Sequence, residues 1–197
     1  MNYPEFFNKI EKIKLKDDLS DFLGATEDGI IEFSYIDVVK TAGHSCPTVL
    51  GSYLMTLEGL KALYKDELPK RGEIKVEFSE RIEEGVAGVI ANVMTNITGA
   101  TVNSGFKGIM GLFSRNSLMA FESDIDSSVK FTRRDTSQSV EVIYDPSSIG
   151  ADPMMRELMQ KSISRQASVE EAKEFGRLWQ ERVEAISNNV DKVITIK

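Results

Sequence analysis

Residues 41–51 read TAGHSCPTVLG and contain the chain's only histidine, His44, and its only cysteine, Cys46. Imidazole nitrogen and thiolate sulfur are both good ligands for zinc, iron, nickel or copper, and two positions of separation let one loop offer both to a single ion. Pro47 suits the first position of a helix, which makes Cys46 the expected N-cap. A helix N-terminus carries free N–H groups and the positive end of the dipole, and both favour a thiolate. The same placement would serve a nucleophilic or redox-active cysteine with His44 as base or charge partner. The bland alternative is a small buried thiol beside a satisfied loop histidine.

The elements around this tripeptide follow from periodicity. Val49, Leu50, Tyr53, Leu54, Leu57, Leu60 and Tyr64 recur at threes and fours, which predicts a helix over 47–65. Upstream, Phe6, Phe7, Ile10 and Ile13 have helical spacing after Pro4. The alternation of Ile31, Phe33 and Tyr35 predicts a strand over 30–36, with Val38 and Val39 leading into the loop. Downstream, EIKVEFSE predicts a strand over 73–79, and EGVAGVIANVMTNIT a buried helix near 84–97. Residues 98–111 are glycine-rich without a period and predict a loop. It carries Asn103 and Lys107, candidates for the polar lining of a pocket. NSLMAFES, VKFTRR and SVEVIYDP predict three strands, with Arg133 and Arg134 at the surface. Two helices follow, the second opened by a capping box of Ser168 and Glu171, and DKVITIK reads as a closing strand or a tail. The expected architecture is α+β: a mixed sheet packed against the long helix that starts at His-x-Cys-Pro, as a core over 1–150, with a helical extension over 151–197 packed on it.

Bulk composition narrows the function. A net charge of −7 argues against a nucleic-acid partner held through phosphates. One cysteine forbids an intrachain disulfide and any single-chain four-cysteine zinc knuckle. No apolar run reaches the ~20 residues of a membrane span, and the N-terminus lacks the pattern of a signal peptide, so a cytoplasmic location is expected. TGATVNSGFKG lacks the Gly-Lys-Ser/Thr ending of a phosphate loop.

GHSCPTVLGSYLM resembles the Gly-His-x-Cys-Pro-Gly signature that opens the long helix in the FmdE-like family of formylmethanofuran dehydrogenase proteins. NVMTNITGATVNSGFKG sits where that family carries an Asp-Ala-x-Gln segment leading to Thr-Gly-Cys-Thr and a Gly-Lys-Gly turn, so the resemblance runs from Thr41 to about Glu122. It implies an α+β core, a homodimer and a metal site around His44 and Cys46. It gives a site more readily than a reaction. Ala100, Asn92 and Thr48 depart from the pattern, standing in place of a cysteine, an aspartate and the second glycine. Many relatives carry a cysteine-rich C-terminal module, whereas residues 151–197 contain no cysteine. Two ligands are too few for a closed structural zinc site. Either water or a substrate completes the shell, or a second subunit does, or the metal arrives as haem, which asks for one or two axial groups. Met94, Ile97, Phe106, Ile109, Met110, Leu112 and Phe113 are the apolar wall a haem would use. The leading expectation is a divalent-metal protein, zinc or iron, that is a redox or transfer enzyme or its accessory. The alternatives are a haem or metal carrier and a structural subunit with a vestigial site.

Overall fold

A computed structural model describes residues 2–197. A short 3₁₀ turn, Glu5–Lys9, leads into an antiparallel pair, β1 (Ile13–Lys16) and β2 (Ile30–Phe33), with a five-residue helix, α1 (Asp18–Phe22), between them. Next come α2 (Tyr35–Ala42), the long α3 (Pro47–Tyr64), β3 (Ile74–Glu77) and α4 (Ala87–Thr98). Three strands follow, β4 (Met119–Ala120), β5 (Val129–Arg133) and β6 (Ser139–Tyr144). The chain closes with α5 (Met155–Ile163), α6 (Val169–Ser187), α7 (Val190–Val193) and β7 (Ile194–Ile196). The main sheet has the order β4-β3-β5-β6-β7, and only β3 and β4 run parallel. This is the α+β architecture with a mixed sheet and a helix-rich C-terminal part.

α3 is the axle of the fold. From Val49 to Tyr64 almost every side chain is buried, as expected of a helix that is apolar all round. Two of its buried residues bond within reach of the helix: the Ser52 hydroxyl donates to the Ile90 carbonyl at 3.0 Å and the Thr56 hydroxyl to the Ser52 carbonyl at 2.8 Å. Gly51 and Gly59 face the sheet. A Cβ on Gly51 would lie 2.3 Å from the Tyr144 ring, and one on Gly59 2.7 Å from Phe131, so both glycines are there for close approach. On the other side, the Tyr53 hydroxyl reaches the carbonyls of Glu11 (2.7 Å) and Phe33 (2.9 Å) and ties the N-terminal hairpin to the helix.

The sequence expectation fails at several places for local reasons. The expected helix near Phe6 shrinks to one turn, because Ile13 and Leu15 alternate inward against Lys14 and Lys16 and open β1. The expected strand over 30–36 stops at Phe33. Ser34 and Asp37 form a capping box, so Tyr35, Val38 and Val39 belong to a helix. α4 buries Ala91, Val93, Met94 and Ile97, yet it leaves Val89 and Asn92 exposed on its outer face. Arg133 is not at the surface. It is 4% exposed, lies over the Tyr64 ring at 4.3 Å and pairs with Glu67 and Asp135. DKVITIK resolves into α7 and the sheet strand β7. No helix among the described residues is long and apolar enough to cross a membrane.

Candidate metal centre

α2 ends because Gly43 takes a left-handed φ of +76°, which lets its N–H cap the Val39 carbonyl and turns the chain out of the helix. His44, Ser45 and Cys46 then form the link to α3. Cys46 is extended and is the N-cap, its sulfur accepting from the Val49 N–H at 3.4 Å, with Pro47 at the first helical position. His44 is exposed, and its Nδ1 lies 3.0 Å from the Ala42 carbonyl. A carbonyl only accepts, so Nδ1 carries the proton and Nε2 of the neutral ring keeps a free lone pair. A backbone partner on the far nitrogen is the usual support for a metal-binding imidazole.

The link is clamped from three elements. Tyr35 of α2 shares a 2.8 Å hydrogen bond with the Ser45 hydroxyl. Trp179 and Gln180 of α6 donate to the Ser45 carbonyl at 3.0 and 3.2 Å. Tyr144 at the end of β6 donates to the Pro47 carbonyl at 2.7 Å. Burial pushes both tyrosines far above the ordinary phenol range, although the Arg182 guanidinium pulls Tyr144 part of the way back, so both hydroxyls stay protonated. Gln180 Oε1 and Arg182 Nε are buried without a partner among the described residues. The sequence patterns single out none of Trp179, Gln180, Arg182, Tyr35 and Tyr144 for this site. The available signal is Gln180 directly after the chain's one tryptophan, Trp179, in α6.

The other candidates lie elsewhere. Asn103 and Lys107 are exposed on the loop after α4, and no hydrogen bond or ion pair among the described residues joins them to His44 or Cys46. That loop is anchored by Arg115, 6% exposed, whose Nη2 reaches Asp17 at 2.6 Å while Arg71 holds the other carboxylate oxygen at 2.9 Å. The expected apolar wall is split. Met94 and Ile97 are fully buried in the core, whereas Phe106, Ile109, Met110 and Leu112 are exposed. These residues do not form the single wall a haem needs. Ala100 is also fully buried in the core, and Asn92 is exposed on α4.

No group of three or more His, Cys, Asp or Glu side chains gathers among the described residues. One chain therefore offers two good donors, an imidazole with a free Nε2 and a thiol at a helix N-terminus. Imidazole and thiol are donor types that zinc and iron accept, and two of them are half the number a four-coordinate shell takes.

A family model described as "FmdE, Molybdenum formylmethanofuran dehydrogenase operon" matches residues 41–195. The match begins at Thr41, in the last turn of α2 just ahead of His44, and runs on through all but the last two residues. No curated protein matches the chain.

Proposed function

The chain belongs to the FmdE family, and on that footing we propose that it is a metal-binding protein, a metal-dependent redox or transfer enzyme or its accessory. Its ligands are His44 and Cys46. The observation that carries this reading is the Nδ1 contact of His44 to the Ala42 carbonyl, which leaves Nε2 free two positions from a thiol at the mouth of α3. A bound zinc or iron ion would supply Lewis acidity there, and iron also an accessible electron. The protein's part is positional. Trp179, Gln180, Tyr35 and Tyr144 hold the backbone of residues 45–47, so both donors leave a fixed loop rather than a mobile one. The remaining coordination belongs to water, to a small-molecule substrate, or to a second copy in a homodimer. The Asn96 amide donates to the Thr41 hydroxyl at 3.1 Å, which sets α4 beside this loop.

Elemental analysis and an absorption spectrum of the purified protein test the reading, together with cobalt titration of the metal-free form. Bound zinc or iron is expected, along with a thiolate-to-cobalt charge-transfer band that disappears in Cys46→Ser. His44→Ala should weaken metal binding by about a hundredfold. A Soret band would replace the ion with haem. A protein that holds neither, and takes up no cobalt, would have a vestigial site.

A further inference from the structure

On a chain of net charge −7, one cleft is basic. It lies between the start of β1, the last turns of α3 and the turn that follows, and it holds about 190 Å³. Ile13, Leu57 and Leu60 give it an apolar floor. Four lysines, Lys12, Lys14, Lys61 and Lys65, stand around it against two glutamates, Glu11 and Glu67. Both glutamates are engaged, Glu11 with Lys61 at 2.5 Å and Glu67 with Arg133 at 3.0 Å. Glu32, which faces Lys14 across the hairpin, is held by Lys12 at 2.7 Å. The side chains of Lys14 and Lys65 have no hydrogen bond or ion pair among the described residues, so two cations are left over at the mouth of an apolar hollow.

The backbone adds a donor at the same place. In an antiparallel pair only alternate residues bond across the ladder. The Asp17 N–H reaches the Gly29 carbonyl at 2.7 Å, which sets the phase: Ile13 and Leu15 face β2, whereas Lys14 and Lys16 face away from it. Lys16 is satisfied on that outer edge. Its N–H donates to the Pro69 carbonyl at 2.9 Å, and its carbonyl accepts the Arg71 N–H at 2.8 Å. Lys14 has no such partner among the described residues, so its N–H is open on the edge that lines the cleft. At the opposite lip Lys65 has φ 54° and ψ −111°, a conformation that residues with a side chain rarely adopt. Strain of this kind gathers at ligand clamps.

We propose that this cleft binds a short aliphatic carboxylate, with its chain on Leu57 and Leu60 and its head taken by the Lys14 N–H and the ammonium groups of Lys14 and Lys65. Pockets for drug-sized ligands hold about 300 Å³ or more, so this one takes a smaller molecule. A carboxylate accepts several charge-assisted hydrogen bonds at once. The apolar floor would give a bare inorganic anion nothing, and the lysines would repel an amine. One wall, Glu11 to Lys14, lies ahead of residue 41, where the family match begins. Leu57 is roughly 16 Å along α3 from Cys46, so the cleft stands apart from the metal loop and does not depend on a metal there.

Amide chemical shifts of the full ¹⁵N-labelled chain, titrated with hexanoate, test the assignment. The Lys14 amide should move saturably, together with those of Leu60 and Lys65. From propionate to hexanoate each methylene should tighten binding by about threefold. Hexanol, with the same chain and no charge, should bind about tenfold more weakly or worse. Lys14 and Lys65 are exposed, so the double variant Lys14→Glu, Lys65→Glu should keep the wild-type far-UV spectrum. It should weaken hexanoate by about tenfold or more, while Lys65→Arg keeps the charge and should stay close to the wild type. A Lys14 amide that ignores hexanoate would overturn the site. Equal binding of hexanol would overturn the part given to the lysines, and equal binding of acetate the part given to the apolar floor. A stronger response to acetyl-leucine would support the same chemistry, with the end of a peptide as its source.

Discussion

Asp17 gathers more polar contacts than any residue of the proposed site. It is 3% exposed, takes one hydrogen bond from each of Arg71 and Arg115, and accepts the N–H groups of Leu19 and Ser20 as the cap of α1. Burial alone would push its carboxyl up. The Arg71 hydrogen bond, the Ser20 N–H and the charges of both arginines outweigh burial and hold it below the usual carboxylate range. A carboxyl depressed in the folded state stabilises the fold above its unfolded value, and that stability is lost as pH falls through the lower folded value. Asp17→Asn keeps the cap but strands Arg115, and should cost about 3 kcal/mol at neutral pH. Urea denaturation should show the gap closing once the wild-type carboxyl is itself protonated. An equal deficit at both pH values would mean that packing, not charge, is at stake. The network is illegible in the sequence because Arg115 lies 98 positions from Asp17, and periodicity reports only neighbours along one element. His44 and Cys46 are legible for the opposite reason. Scarcity and a following proline mark them within one tripeptide, and the cap at Cys46 follows from Pro47 alone.

At the scale of elements, the long helices are readable because each carries its own punctuation. α3 opens at Cys46-Pro47, and α6 opens with the Ser168–Glu171 box that the structure shows bonded both ways. α2 reads in sequence as a continuation of β2, since the Ile31, Phe33, Tyr35 alternation runs straight across a boundary that only the Ser34–Asp37 cap defines. α1 and β1 are five and four residues long, too short for a period to declare itself. What no pattern announces is how closely α3 lies on the sheet. Gly51 faces the Tyr144 ring, whose hydroxyl also holds Pro47, so helix-to-sheet distance and loop position are set by one contact. Gly51→Ala should therefore destabilise by about 1–3 kcal/mol through overpacking and also weaken metal binding. Tyr144→Leu relieves the clash but frees the loop. In the double variant the stability loss should fall below the sum of the two singles, while metal affinity stays low. Additive stability losses would show that the ring and the missing Cβ do not compete for the same space.

For the whole molecule, the question is whether residues 151–197 form an appendage or part of one folding unit. α6 packs on α3 and places Trp179 and Gln180 on the Ser45 carbonyl. β7 pairs with β6 inside the main sheet, with Val142 opposite Ile196 and Tyr144 opposite Ile194. Ile186, Val183 and Val193 are in the same apolar core as Leu50 and Tyr53. Removing the C-terminal part would open the β6 edge, expose one side of α3 and release the metal loop together, so its stability is tied to that of the core. Trp179 is the only tryptophan, which makes its fluorescence a local reporter of the α6-to-loop contact, while far-UV circular dichroism averages over every helix. In urea the two signals should fall in one coincident transition. Fluorescence lost at lower denaturant than ellipticity would mean that the C-terminal part undocks first and that the clamp on Ser45 is a separable latch. Coincidence would mean instead that the loop presenting His44 and Cys46 is held for as long as the protein is folded, which is the rigidity a two-donor site requires when the rest of its shell comes from outside the chain.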